Sequence, residues 1–113
     1  MDPKLLEELK QSIKGDVAND DETLVAHSHD ASLFEVKPQV VVFPKDTEDV
    51  QNLVKFVDKN KDSHPELSLT GRSAGTDMSG GSINESIIVA FGKYMNHFLG
   101  IKDKIATTEP GLQ

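Results

Sequence analysis

From Pro38 onward, short apolar runs alternate with one long amphipathic stretch. Val40-Val41-Val42-Phe43 is a continuous, mostly β-branched run closed by Pro44, the pattern of a strand buried on both faces. Asp46 then stands as an N-cap, and Val50, Leu53, Val54 and Val57 recur at helical spacing, giving one apolar face. The first turn is acidic (Glu48, Asp49) and the last basic (Lys55, Lys59), which complements the helix dipole. His64-Pro65 breaks the chain, Leu67 to Thr70 reads as a second strand, and Ile87 to Phe91 as a third. Strand, helix, strand is a βαβ unit with parallel strands. The predicted fold class is therefore α/β (α+β): a small parallel, βαβ-based sheet with flanking helices, the Asp46 to Asn60 helix on one face.

The remaining segments are read from weaker patterns. Asp2-Pro3 opens a helix along which Leu5, Leu6, Leu9 and Ile13 recur, and Gly15 stops it. Asp16 to Lys37 reads as an acidic, solvated loop with a short helical turn around Leu24. His27-Ser28-His29-Asp30 invites a metal reading, because alternate residues share a face on a strand. No third imidazole or thiolate lies at a matching spacing, so a polar surface loop and no metal site are expected. After the third strand, Gly92 to Leu99 reads as a turn or short helix, and Ile101 to Thr108 as a strand with a turn near Lys102-Asp103-Lys104. No linker divides the chain into separate domains.

Charge and composition narrow the function. Twelve basic against 19 acidic residues give a net charge of −7, the opposite of a nucleic-acid surface. There is no cysteine, hence no disulfide, thiolate metal site or thiol nucleophile. No apolar run approaches the roughly 20 residues of a membrane span, and the N-terminus lacks the apolar stretch of a signal peptide. A cytoplasmic location is expected.

In this acidic chain the sole arginine, Arg72, opens the most unusual stretch: Gly71-Arg72-Ser73-Ala74-Gly75-Thr76-Asp77-Met78-Ser79-Gly80-Gly81-Ser82. It holds four of the eight glycines. Glycines let the backbone take positive φ and approach a ligand closely, and successive amides in such turns form concave anion sites. Ser73, Thr76, Ser79 and Ser82 add hydroxyls. The loop follows a strand end in a βαβ arrangement, where nucleotide phosphates sit. It is neither a Walker A loop nor a Rossmann Gly-x-Gly-x-x-Gly. Sparse in bulky side chains and rich in glycine, it is expected to be mobile without ligand. A nucleotide or anion site is the favoured reading; a merely flexible surface loop is the other.

Val40-Val41-Val42-Phe43-Pro44, Glu48-Asp49-Val50, Gly71-Arg72-Ser73-Ala74-Gly75-Thr76, Ser79-Gly80-Gly81 and Glu109-Pro110-Gly111 follow in order. Together they resemble the FAD-linked oxidase family, with its vanillyl-alcohol-oxidase or PCMH-type FAD-binding domain. The glycolate oxidase and D-lactate dehydrogenase branch is the most similar. The likeness covers Pro38 to Gly111 and implies that 38–113 are the truncated first subdomain of that FAD-binding domain, preceded by 1–37 as an N-terminal helix and lead-in segment. It implies that Arg72, Ser73, Ala74, Gly75, Thr76 and Asp77 wrap the FAD pyrophosphate through backbone amides. Ser79, Gly80 and Gly81 would form a second contact loop, Pro44 would lie at the adenine end, and Pro110 and Gly111 towards the flavin side. Relatives that bind flavin covalently carry a histidine where Thr76 stands, so FAD here would be non-covalent. Ala90 stands where relatives often have an acidic residue.

The same resemblance places the flavin ring and substrate residues in later subdomains. The chain is accordingly expected to be an N-terminal fragment, partnered by the missing C-terminal part of the same polypeptide and binding FAD weakly or not at all alone. No catalytic residue is assigned. The implied activity of the full-length protein is oxidation of a 2-hydroxy acid. The alternative is a stand-alone anion- or nucleotide-binding module without redox activity.

Overall fold

The computed structural model describes all 113 residues. Helix α1 (Pro3–Ser12) is capped by the Asp2 side chain, which accepts from the Lys4 amide. It leads through Gly15 into strand β1 (Asp16–Ala18), short helix α2 (Asp21–Ala26) and strand β2 (Val40–Phe43). Helix α3 (Thr47–Asn60), strands β3 (Leu69–Arg72) and β4 (Ile87–Ala90), and the hairpin β5 (Phe98–Lys102) and β6 (Ile105–Thr108) complete the chain. Asp46 caps α3 by accepting from the Asp49 amide, as its spacing predicts.

The main sheet has the order β1-β2-β4-β3. β4 pairs in parallel with both β2 and β3, with Ile87 opposite Val40 on one side and Leu69 on the other. The three expected strands are thus parallel, but the third lies between the first two. The second strand runs Leu69–Arg72 rather than Leu67 to Thr70. Leu67 is buried, but its amide closes a turn onto the His64 carbonyl, so the ladder begins two residues later. Alternation divides the apolar side chains between two faces. Val40, Val42, Ile87 and Val89 pack with Leu5 and Leu9 of α1 and with Leu53 and Phe56 of α3. Val41, Ile88 and Ala90 face the other way, against Leu24 of α2.

Two further features depart from the sequence expectation. Asp16 to Ala18 is an edge strand, antiparallel to β2, where a solvated loop is predicted. Its Asp16 carboxylate pairs with Lys93 and accepts from the Tyr94 hydroxyl at 2.7 Å. These contacts, Lys93 first, hold the carboxyl below its ordinary value, so this acidic residue ties β1 to the segment after β4. Second, Phe98 to Thr108 is a two-stranded hairpin, so Phe98 and Leu99, read as the end of a turn or short helix, belong to a strand. The predicted turn is present, with Asp103 and Lys104 at φ 53° and 65°. The hairpin stands apart from the main sheet and leaves Phe98, Leu99, Ile101 and Ile105 exposed. No helix is long and apolar enough to cross a membrane.

Asp49 is the chief polar element of the core. It is fully buried, and its carboxylate accepts from three backbone amides at 2.9 Å each: Lys14 on Oδ1, Gly15 and Lys45 on Oδ2. It joins the turn between α1 and β1 to the exit of β2. A Cβ on Gly15 would fall 2.0 Å from the Phe43 carbonyl oxygen, so only glycine fits beside this cradle. Because both carboxylate oxygens are acceptors, Asp49→Asn must aim an NH2 at an amide donor. Leaving buried donors unpaired costs about 1–3 kcal/mol each. Urea unfolding of Asp49→Asn is therefore expected to show a loss of about 2–4 kcal/mol; an unchanged midpoint and slope would contradict the cradle.

Candidate functional site

The parallel strands β2, β4 and β3 bring their carboxyl ends to one side of the sheet. Phe43-Pro44, Ala90-Phe91 and Arg72-Ser73 emerge there, and the Phe91 amide donates to the Arg72 carbonyl at 2.9 Å. Since β3 and β4 are adjacent and parallel, residues 73–86 must cross back over the sheet. They do so without a helix or strand.

That irregular crossover leaves its donors free. None of the backbone amides from Ser73 to Ser79 donates to a backbone or side-chain acceptor of the protein. Buried amides normally find partners, whereas these lie mostly at the surface around a cavity of about 420 Å³. Arg72, Ser73, Ala74, Gly75, Thr76 and Asp77 all line it, and Pro110 closes one side. Gly75 has φ 70°, which a side chain rarely tolerates, and a Cβ there would meet the Arg72 guanidinium at 2.3 Å.

Other expected site residues fall outside this cavity. Pro44 is fully buried at the exit of β2 and is not in its lining. Gly80, at φ 80°, rests against Phe34, and Gly81 against the Asp77 carboxylate; neither these two nor Ser79 lines the main cavity. Gly111 lines a neighbouring cavity of about 330 Å³ with Gly92 and Asn96. Its amide donates to the Met95 carbonyl at 2.8 Å, so Gly111 shapes the wall from behind. Ala90 is buried beneath the site.

Sequence reasoning underweights Ser82. Its side chain is 3% exposed, it lines the main cavity, and its Oγ has no hydrogen-bond partner. A buried hydroxyl without a partner is costly, and an oxygen-rich ligand in the cavity would satisfy it. Phe91, Leu112 and Gln113 also line the cavity. Phe91 is signalled only as the end of a buried run, and the other two carry no motif. The His27-Ser28-His29-Asp30 stretch forms no cluster able to hold a metal. Free amides, one guanidinium and an orphaned hydroxyl suit a multiply charged oxyanion, such as the pyrophosphate of a dinucleotide.

Residues 38–113 match the model of a family described as "FAD binding domain". The chain belongs to this family. It is 31% identical over 100 residues to a D-2-hydroxyglutarate dehydrogenase of Pseudomonas putida, covering 88% of this chain and 10% of that protein. A protein of the same description from Stutzerimonas stutzeri is 32% identical over 115 residues, covering 98% and 24%. Among solved structures, a 4-ethylphenol oxidase from Gulosibacter chungangensis in an isoeugenol complex superposes with a TM-score of 0.77 at 27% identity, covering 96% of this chain and 22% of that one. The chain thus spans about a tenth to a quarter of the curated relatives it matches.

Amides without an acceptor exchange rapidly, and bound oxyanions protect them. Without ligand, hydrogen exchange from Ser73 to Ser79 is expected to be complete within seconds, while the β4 amides persist for much longer. Slow exchange in the ligand-free loop would show that its donors are already satisfied.

Proposed function

We propose that this chain supplies the FAD-phosphate site of a flavin-dependent dehydrogenase acting on a 2-hydroxy acid. The observation that carries it is the run of acceptor-free amides from Ser73 to Ser79, beside the orphaned Ser82 hydroxyl, at the carboxyl end of a parallel sheet. The family model and the D-2-hydroxyglutarate dehydrogenase relatives support the cofactor and substrate class. Arg72 to Asp77 hold the pyrophosphate, and Ser79, Gly80 and Gly81 support the loop from its far side. Pro44 belongs to the adenine end and Pro110-Gly111 to the flavin side. FAD is held non-covalently, because Thr76 offers no imidazole at that position. Once bound, FAD supplies a two-electron acceptor; this chain's residues bind and orient its phosphates. The acid, base and substrate contacts belong to further parts of the polypeptide, so the chain alone is inactive.

Isolated, the chain engages only part of FAD, and binding free energy is spread over the whole ligand. A net charge of −7 also repels a dianionic cofactor. The purified 113-residue chain is expected to be colourless. Calorimetry should give an FAD dissociation constant of about 10 μM or weaker, weakening further with salt. Gly75→Val, strained at φ 70° and crowding Arg72, should abolish the residual binding. A titration silent for FAD but saturating with inorganic phosphate would replace this reading with a simple anion module.

A further inference from the structure

The His27 to Asp30 motif belongs to no group of three metal-ligating side chains, yet it does not idle in solvent. Ser28 is 1% exposed, its Oγ donates to the Val25 carbonyl at 2.6 Å, and its carbonyl accepts from the Val36 amide at 2.9 Å. With the bridge between His29 and Glu35, this closes residues 28–36 into a compact loop fastened to the end of α2. That loop grips the 73–86 crossover at separate points. The Arg72 Nη1 donates to the His29 carbonyl at 2.5 Å, and the Ala31 amide donates to the Asp77 carbonyl at 2.8 Å. The Phe34 ring lies against Gly80. Within this loop the Asp30 Oδ1 accepts from the Ser32 amide at 2.8 Å, next to the Ala31 amide that reaches Asp77, and its Oδ2 is buried without a hydrogen-bond partner.

We propose that residues 28–36 are a clamp that sets the shape of the phosphate loop, with Asp30 as its positioning residue. The inference rests on the reading that Arg72 to Asp77 hold the cofactor phosphates. The clamp meets the chain just before the crossover (Arg72), at its middle (Asp77) and at its glycine pair (Gly80-Gly81), so the free amides between these points are held in one curvature. Hydrogen bonding by Ser32 first, and the Arg72 charge nearby, hold the Asp30 carboxyl below its ordinary value, consistent with an ionised pivot. Ordering a glycine-rich loop before binding removes part of the entropy that the ligand must otherwise offset.

Charge and positioning make opposite predictions here. Asp30 puts a negative charge near Arg72, so by electrostatics alone its removal should tighten anion binding. As a positioning residue, its removal should loosen the loop and weaken binding. The test uses the 113-residue chain and the Asp30→Ala, Asp30→Asn and Ala31→Pro variants. Backbone {1H}-15N NOE is read from Arg72 to Gly81 without ligand, and FAD affinity by calorimetry. Asp30→Ala should lower the NOE across the loop and weaken FAD about tenfold or more. Asp30→Asn keeps an acceptor for Ser32 and loses the charge, so it should keep the NOE and bind at least as tightly as the parent. Ala31→Pro removes the amide that reaches Asp77 without altering charge; it should loosen the loop too, and it decides the matter should Asp30→Ala fail to fold. Unchanged NOE in both Asp30→Ala and Ala31→Pro, or tighter FAD binding by Asp30→Ala, would overturn the clamp. A parent silent for FAD but saturating with inorganic phosphate overturns the functional reading, and the NOE comparison then decides the clamp alone.

Discussion

Two adjacent parallel strands cannot be joined by a tight turn; the chain must travel back along the sheet, which takes about a dozen residues or more. Between β3 and β4 that crossover is residues 73–86, and it contains no helix. A helical crossover would commit most of its amides to its own ladder. This irregular one commits none of those from Ser73 to Ser79. The same constraint puts the free donors at the carboxyl end of the sheet, against Phe91 and beneath Pro110. The apolar layers on both faces hold β4 in its central place, so the packing of Val, Ile and Leu side chains positions a polar site that none of them touches.

Much of this arrangement is legible in the sequence because it follows from local patterns. Val40 to Phe43 and Ile87 to Ala90 read as buried strands because burial on both faces leaves no alternation to misread. The α3 boundaries follow from Asp46 and the apolar spacing, although Val54 of the predicted face is exposed and Phe56 is buried in its place. The missed features depend on distant partners. Asp49 reads as one more acidic residue in a first helical turn, and nothing local signals that Lys14, Gly15 and Lys45 converge on it. Asp16 reads as loop because its partners, Lys93 and Tyr94, are far along the chain.

The candidate site divides in the same way. Arg72 to Asp77 are visible as a dense run of glycine and hydroxyl residues, and the structure gathers them around one cavity. Pro44 is quoted in the resemblance for its place after a strand, and it lies buried instead of in the cavity lining. Ser82 differs from the other loop serines only by burial, which composition does not reveal. The role of Asp30 is hidden by its neighbours, because two histidines beside an aspartate suggest metal chemistry more readily than a structural clamp.

The central claim is that the acceptor-free amides between β3 and β4 are the phosphate site. The most direct measurement is an 15N-edited amide spectrum of the 113-residue chain during titration with inorganic pyrophosphate. Saturable shifts are expected at Ser73 to Asp77, with the amides of α3 and the β5–β6 hairpin unmoved. Shifts concentrated at the N-terminus of α3, or spread over the lysines with none in the loop, would contradict that claim.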